Sequence, residues 1–200
     1  MRRLILFSFL LSGIVSFGQK NYGSYKDSLQ KFREQYISTH DVVKGDDTSF
    51  LQFFPIDENY RVFASFERIH DSIGFGMNTS AGVSFKYFKF GKATFNLKGK
   101  TCQLYLYRSA MLMRSPKYKD HLFIPFADET NGDETHGSGR FIDFTVSDIR
   151  NNVIEIDFNK AYNPSCAYKE GYACPIPPKE NTIKVEIKAG EKIFGKPLDK

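Results

Sequence analysis

The sequence predicts a mostly β domain, an antiparallel barrel or sandwich with one N-terminal amphipathic helix packed on it. Three observations predict this class. From Asn59 onward, apolar residues recur with a period of two, the mark of half-buried strands. The aromatics are 20 Phe and 11 Tyr with no Trp, and Phe and Tyr favour pleated, half-buried surfaces. Only Ser24 to Ile37 carries a convincing helical period.

The first segment stands apart from the fold. Met1-Arg2-Arg3 is a positive start, Leu4 to Phe17 is an apolar run, and Ser16 and Gly18 are small residues just before a cut at Gln19. That is the pattern of a secretory signal peptide over residues 1–18. The run is short for a membrane anchor, and Ser12 and Gly13 interrupt it. No Cys follows it to take a lipid. The expectation is an exported protein, periplasmic or secreted, with one domain over residues 19–200 and no stable membrane insertion after cleavage.

In the helix, Tyr25, Leu29, Phe32 and Tyr36 share one face, and Ser24 with Asp27 forms a potential capping box. Asp47 to Phe54 suggests one short turn before Pro55. Val62, Ala64 and Phe66 then alternate with Arg61, Phe63 and Ser65. Phe88 and Phe90 lie on one parity and Ala93, Phe95 and Leu97 on the other, so a bulge is expected at Gly91. Lys98-Gly99 is a tight turn into Cys102, Leu104 and Leu106. Leu122 to Phe126 is a short apolar strand, and Phe141–Val146 with Val153–Phe158 predicts a second hairpin about Ser147–Asn152. Ile183, Val185 and Ile187 alternate with Lys184, Glu186 and Lys188, which predicts a last strand with one face in water.

Composition narrows function mainly by exclusion. Hydrophobic residues at 41% and charged residues at 26% exclude a disordered chain. The formal charge of +5 falls to +3 without Arg2 and Arg3, and the basic residues are scattered, so no nucleic-acid partner is expected. No Walker A, Rossmann, HExxH or Gly-x-Ser-x-Gly pattern is present, so no cofactor or metal is predicted. The acidic cluster after Ala127 does not match the spacing of an EF-hand loop.

Two polar stretches carry the candidate chemistry. The first runs from Asp128 through Thr130, Gly137 and Gly139 to Arg140, close to Asp143. A glycine-permitted loop ending in Arg can hold a carboxylate or phosphate. Equally, it can be a polar turn whose Arg pairs with Asp128 or Asp143. The second runs from Asp157 through Asn159, Tyr162, Asn163, Cys166 and Tyr168 to Cys174, stiffened by Pro164 and Pro175. Long irregular segments in compact domains are uncommon unless functional or stapled. A Cys166–Cys174 disulfide would staple this one, whereas Cys102 reads as a core residue.

These stretches resemble a known family. The residues are His121-Leu122-Phe123-Ile124-Pro125-Phe126-Ala127-Asp128-Glu129-Thr130-Asn131-Gly132, then Gly139 to Asp143, Asp157 to Pro164, Cys166-Ala167-Tyr168, Cys174-Pro175, Pro177-Pro178 and the closing Ala189-Gly190-Glu191. Together with Phe54-Pro55-Ile56-Asp57 and Tyr60-Arg61-Val62 they resemble the domain of unknown function 1684 family over essentially the whole mature chain. One departure is His136, where the family pattern often carries Tyr, which weakens a mechanism that needs a His base there. The resemblance implies no activity; it implies that the polar set belongs together.

The leading expectation is therefore a pocket built from 128–143 and 157–174 that binds a small polar or acidic molecule. Arg140 would take its acidic group, and Asn159, Tyr162 and Asn163 would orient it. One alternative is a hydrolase-like enzyme using Cys166, with His136, or the pair Asp143 and Asp157. Another is a structural or interaction module whose motif residues lock loops.

Overall fold

The computed structural model describes residues 22–196. The signal segment read at residues 1–18 lies outside the described residues. Helix α1 spans Tyr22–Thr39, two residues longer at each end than its apolar period suggests. Ser24 thus lies within the first turn, and the expected capping box is not where the helix starts. Leu29 is buried, but Phe32 remains exposed on the expected inner face. A short 3₁₀ turn follows at Gly45–Phe50.

Eight strands follow: β1 Arg61–Arg68, β2 Phe75–Asn78, β3 Ser84–Leu97, β4 Lys100–Ser109, β5 His121–Phe126, β6 Arg140–Thr145, β7 Ile149–Arg150 and β8 Val153–Asp157. All pairings are antiparallel, in the order β6-β5-β4-β3-β1-β8-β7, with β2 added on β3. The end strands β6 and β7 do not pair with each other, so the sheet is not closed. It nevertheless wraps a main core, with two smaller buried clusters beside it. Ala64, Phe95, Leu104, Ile124, Ile142 and Ile156 come from six different strands and belong to a single buried cluster. Burying each such side chain stabilises by about 1.5–3 kcal/mol.

The expected bulge is present. The β3–β4 register shifts between Lys89 and Gly91, so Phe90 and Ala93 both face the core although their parities differ. The ring of Phe66 crosses directly over Gly91, where an added Cβ would sit 2.1 Å from Cζ. Lys98 and Gly99, with φ of 50° and 76°, form the tight β3–β4 turn. This matches the mirrored two-residue hairpin turns that need positive φ.

Two strand expectations are corrected. β6 and β8 do not form a hairpin: β6 pairs with β5 from His121↔Thr145 to Phe126↔Arg140, and β8 pairs with β1 from Arg61↔Asp157 to Ser65↔Val153. The tight turn sits later than expected, at Asn151-Asn152, with φ of 51° and 57°. It joins only the two-residue β7 to β8. The last strand is also absent as a ladder. Residues 183–187 alternate buried and exposed as the pattern requires, but their backbone is bonded by loops and side chains. Alternation identifies a buried face; it does not identify what satisfies the backbone.

Candidate functional site

Arg140 opens β6, and its side chain is fully buried. Its guanidinium donates to Asp128 Oδ2 at 2.9 Å and to the carbonyls of Ile187 at 2.9 Å, Ala189 at 2.5 Å and Glu191 at 3.2 Å. Asp128 in turn accepts from the Thr130 amide and hydroxyl and from the Ile187 amide. The expected anion-binding arginine therefore holds residues 187–191, while Ile183 and Val185 bond to the backbone of Ala127 and Glu129. Burial pulls its pKa down, and Asp128 beside it pushes it back up. Its charge is paired and its side chain has no exposed surface, and of its nitrogens only Nε lacks a hydrogen-bond partner among the described residues. Asp128 and Thr130 share that internal role.

The second stretch clamps the helix. Asn159 is buried and bonds both ways to the backbone of Asp57, with Oδ1 accepting from the amide at 3.0 Å and Nδ2 donating to the carbonyl at 2.8 Å. Its amide donates to Asp157, whose carboxylate also accepts from the Tyr25 hydroxyl of α1 at 3.1 Å. About three helical turns further along, the Tyr36 hydroxyl donates to Glu191 at 3.0 Å. Glu191 also accepts from Tyr168 at 2.7 Å and from the Asn163 amide at 2.9 Å. Burial pushes Glu191 up to about 7, while those donors draw it down. Gly190, with φ of 76°, allows the approach, because an added Cβ would meet the Ala161 carbonyl at 2.6 Å. Asn159, Asn163 and Tyr168 are thus joints between α1, the 158–168 segment and the C-terminal segment. The sequence reading omitted Tyr25, Tyr36 and Glu191 from the polar set.

The missing β6–β8 hairpin leaves a cleft of about 490 Å³. Apolar Phe63, Ile142, Phe144 and Val153 line it, with the charged residues Asp143, Asp148, Glu155, Asp157, Arg150 and Lys160. Phe63 is 66% exposed, unusual for a large ring on a strand. All four carboxylates are engaged. Asp143 meets His121 Nε2 at 3.1 Å and lies beside Tyr162, whose pKa is raised first by burial and then by that carboxylate. Asp148 accepts from the Thr145 amide and hydroxyl. Glu155 takes a two-pronged bond from Arg61, both arms 2.8 Å. Asp157 is held as described above. The cations differ. Arg150 donates only to the Ser147 carbonyl at 3.4 Å, and Lys160 lies over the Phe32 ring at 5.7 Å. Among the described residues, neither meets a carboxylate. Of the predicted residues, Asp143 and Asp157 line this cleft; Phe63, Arg150 and Lys160 were not predicted. Phe63 was detectable as an aromatic on the outward parity of β1.

Cys166 and Cys174 lie together but are not bridged, and Cys102 is free as well. The Cys166 amide donates to Cys174 Sγ at 3.0 Å. His136 adjoins the Cys166 thiol.

The family model described as "Protein of unknown function (DUF1684)" matches residues 47–192. The chain is similar to an uncharacterised protein of Haloarcula marismortui solved by solution NMR, with 27% identity and a TM-score of 0.64, over 86% of this chain and 95% of that one. Comparison with curated proteins gives no match.

Proposed function

The chain belongs to the DUF1684 family of proteins of unknown function, and from that premise we propose that it is an exported protein binding a small polar molecule with an acidic group in the β6–β8 cleft. The curved sheet is, on this proposal, a barrel left open along one side, and the opening is the binding site. The carrying observation is the imbalance of commitments. Four carboxylates already have donors, while among the described residues Lys160 and Arg150 meet no carboxylate. An acidic group arriving there gains charge-assisted hydrogen bonds from Lys160 and Arg150 without breaking an existing pair, and these must outweigh repulsion from the lining carboxylates, of which Glu155 is already offset by Arg61. Exposed Phe63 offers an apolar surface beside them. The cleft's size lies in the ordinary range for small-ligand sites, about 300–1,000 Å³. Export is supported by the signal-like residues 1–18.

Isothermal titration of the mature chain with inorganic phosphate, succinate and a uronic acid tests the proposal. At least one should bind, and Lys160→Ala should weaken it by about 10- to 100-fold, the equivalent of one charge-assisted hydrogen bond at about 1.5–3 kcal/mol. Binding by none of the three, or binding indifferent to both Lys160→Ala and Arg150→Ala, contradicts it.

A further inference from the structure

The Cys166–Cys174 pair is placed unlike a structural staple. Cys174 is buried and fixed from both sides of its backbone: its amide donates to Ser80 Oγ at 3.1 Å, and its carbonyl accepts from the Ser80 amide at 2.9 Å. The next residues continue this anchoring, since the Ile176 amide donates to the Asn78 carbonyl at 2.8 Å. Cys166 sits instead in the 3₁₀ turn Ser165–Ala167 and is only half-buried. Its amide donates to Cys174 Sγ at 3.0 Å, and the two thiols lie close enough for each to shift the other's ionisation. His136 reaches the same spot from the loop before β6, and its buried Nε2 has no hydrogen-bond partner among the described residues. An accessible thiol, a fixed buried thiol in contact with it and an imidazole alongside make the arrangement used for thiol–disulfide exchange.

We propose that Cys166 and Cys174 form a redox-active dithiol that exchanges with small-molecule disulfides, Cys166 attacking and Cys174 resolving. The Cys166 thiolate attacks one sulfur of the disulfide, forming a mixed disulfide and releasing one small thiolate. Cys174 then attacks Cys166 Sγ, forming the intramolecular bridge and releasing the second small thiolate. The Cys174 proton goes to one released thiolate, and the other takes from water the equivalent of the proton Cys166 had already given up. The protein loses two electrons, and the small disulfide gains them as it becomes two thiols. The electrostatics favour this order. Its hydrogen bond with Cys174, with help from His136 and Ser80, draws the Cys166 thiol down to about 4, and Cys174 is pushed up, so the exposed sulfur carries the charge. This site is separate from the β6–β8 cleft and does not depend on it.

Treating the reduced chain with oxidised glutathione and mapping its peptides tests the inference. The natural chain should form a Cys166–Cys174 bridge that excess reduced glutathione reopens. Cys174→Ser should trap glutathione on Cys166, Cys166→Ser should leave Cys174 unmodified, and buried Cys102 should stay unmodified throughout. A second measurement needs no variant. Alkylation of Cys166 by iodoacetamide should change little between about pH 8 and about pH 6, where an ordinary thiol slows about 100-fold. The inference is overturned by failure to form the bridge, or by a bridge that reduced glutathione cannot open. It is equally overturned if Cys174 captures glutathione in Cys166→Ser as fast as Cys166 does in Cys174→Ser, or if Cys166 alkylation falls about 100-fold over that pH span.

Discussion

Replacing Arg140 with Met removes a charge while keeping most of the side chain's volume. Asp128 would keep three donors, the Thr130 amide at 2.9 Å, the Thr130 hydroxyl at 2.6 Å and the Ile187 amide at 3.1 Å, but lose the cation paired with it. The carbonyls of Ile187, Ala189 and Glu191 would each lose a donor. Breaking a buried ion pair by removing one partner costs about 3–5 kcal/mol. Orphaned buried carbonyls add to this, although the C-terminal segment can relax towards water. The combined loss should be about 4–6 kcal/mol, a large part of the roughly 5–15 kcal/mol that holds a domain together. For a chain of this size that is a Tm lower by about 8–24 °C. Thermal and urea unfolding measure it, and hydrogen exchange should show residues 183–191 opening first. Asp128→Leu in the same chain should restore part of the loss, because an apolar pair carries no stranded charge. A Tm within about 2 °C of the natural chain would refute the reasoning. So would an effect seen only in ligand binding, which would make Arg140 a ligand contact.

Two further outcomes follow from packing and from burial. Gly91→Ala drives a methyl to 2.1 Å from Phe66 Cζ and 2.9 Å from the Glu67 carbonyl, so it should destabilise by about 1–3 kcal/mol in urea unfolding, and Phe66→Leu added to it should recover part. Glu191 carries a folded-state pKa of about 7 against an ordinary 4.5, so between those values the folded chain binds more protons than the unfolded one. The associated stability is fully present below about pH 4.5 and is lost as pH rises through about 7, an amount of about 3 kcal/mol. Glu191→Gln should flatten that slope in urea unfolding across about pH 5 to 8; an unchanged slope would contradict the assignment.

The parts of the fold set by local chemistry were legible in the sequence. The Gly91 bulge follows from a parity change along β3, and the Lys98-Gly99 turn from a residue type that tolerates positive φ. Pairing partners were less legible. Strands that flank a polar stretch look like a hairpin, but β6 found β5 and β8 found β1. The 183–187 pattern gave the right buried face and the wrong hydrogen bonding, because the backbone of Ala127 and Glu129 and, at Ile187, the side chains of Arg140 and Asp128 take the place of a neighbouring strand. The polar motifs did belong together, as Asp128 with Arg140 and Asn163 with Tyr168 show, but through Glu191 and the tyrosines of α1. Tyr36 and Glu191 are 155 residues apart in the chain, and no spacing rule connects them. The cleft was invisible for the same reason: it exists where an expected pairing is absent.

Shift mapping of the isotopically labelled mature chain titrated with inorganic phosphate, or with whichever of the small acids binds, addresses that cleft directly. The largest changes should centre on Phe63, Asp143, Glu155 and Lys160, with the Arg140 guanidinium signals unmoved. Changes centred on residues 128–140, or none along the open edge between β6 and β8, would contradict the account.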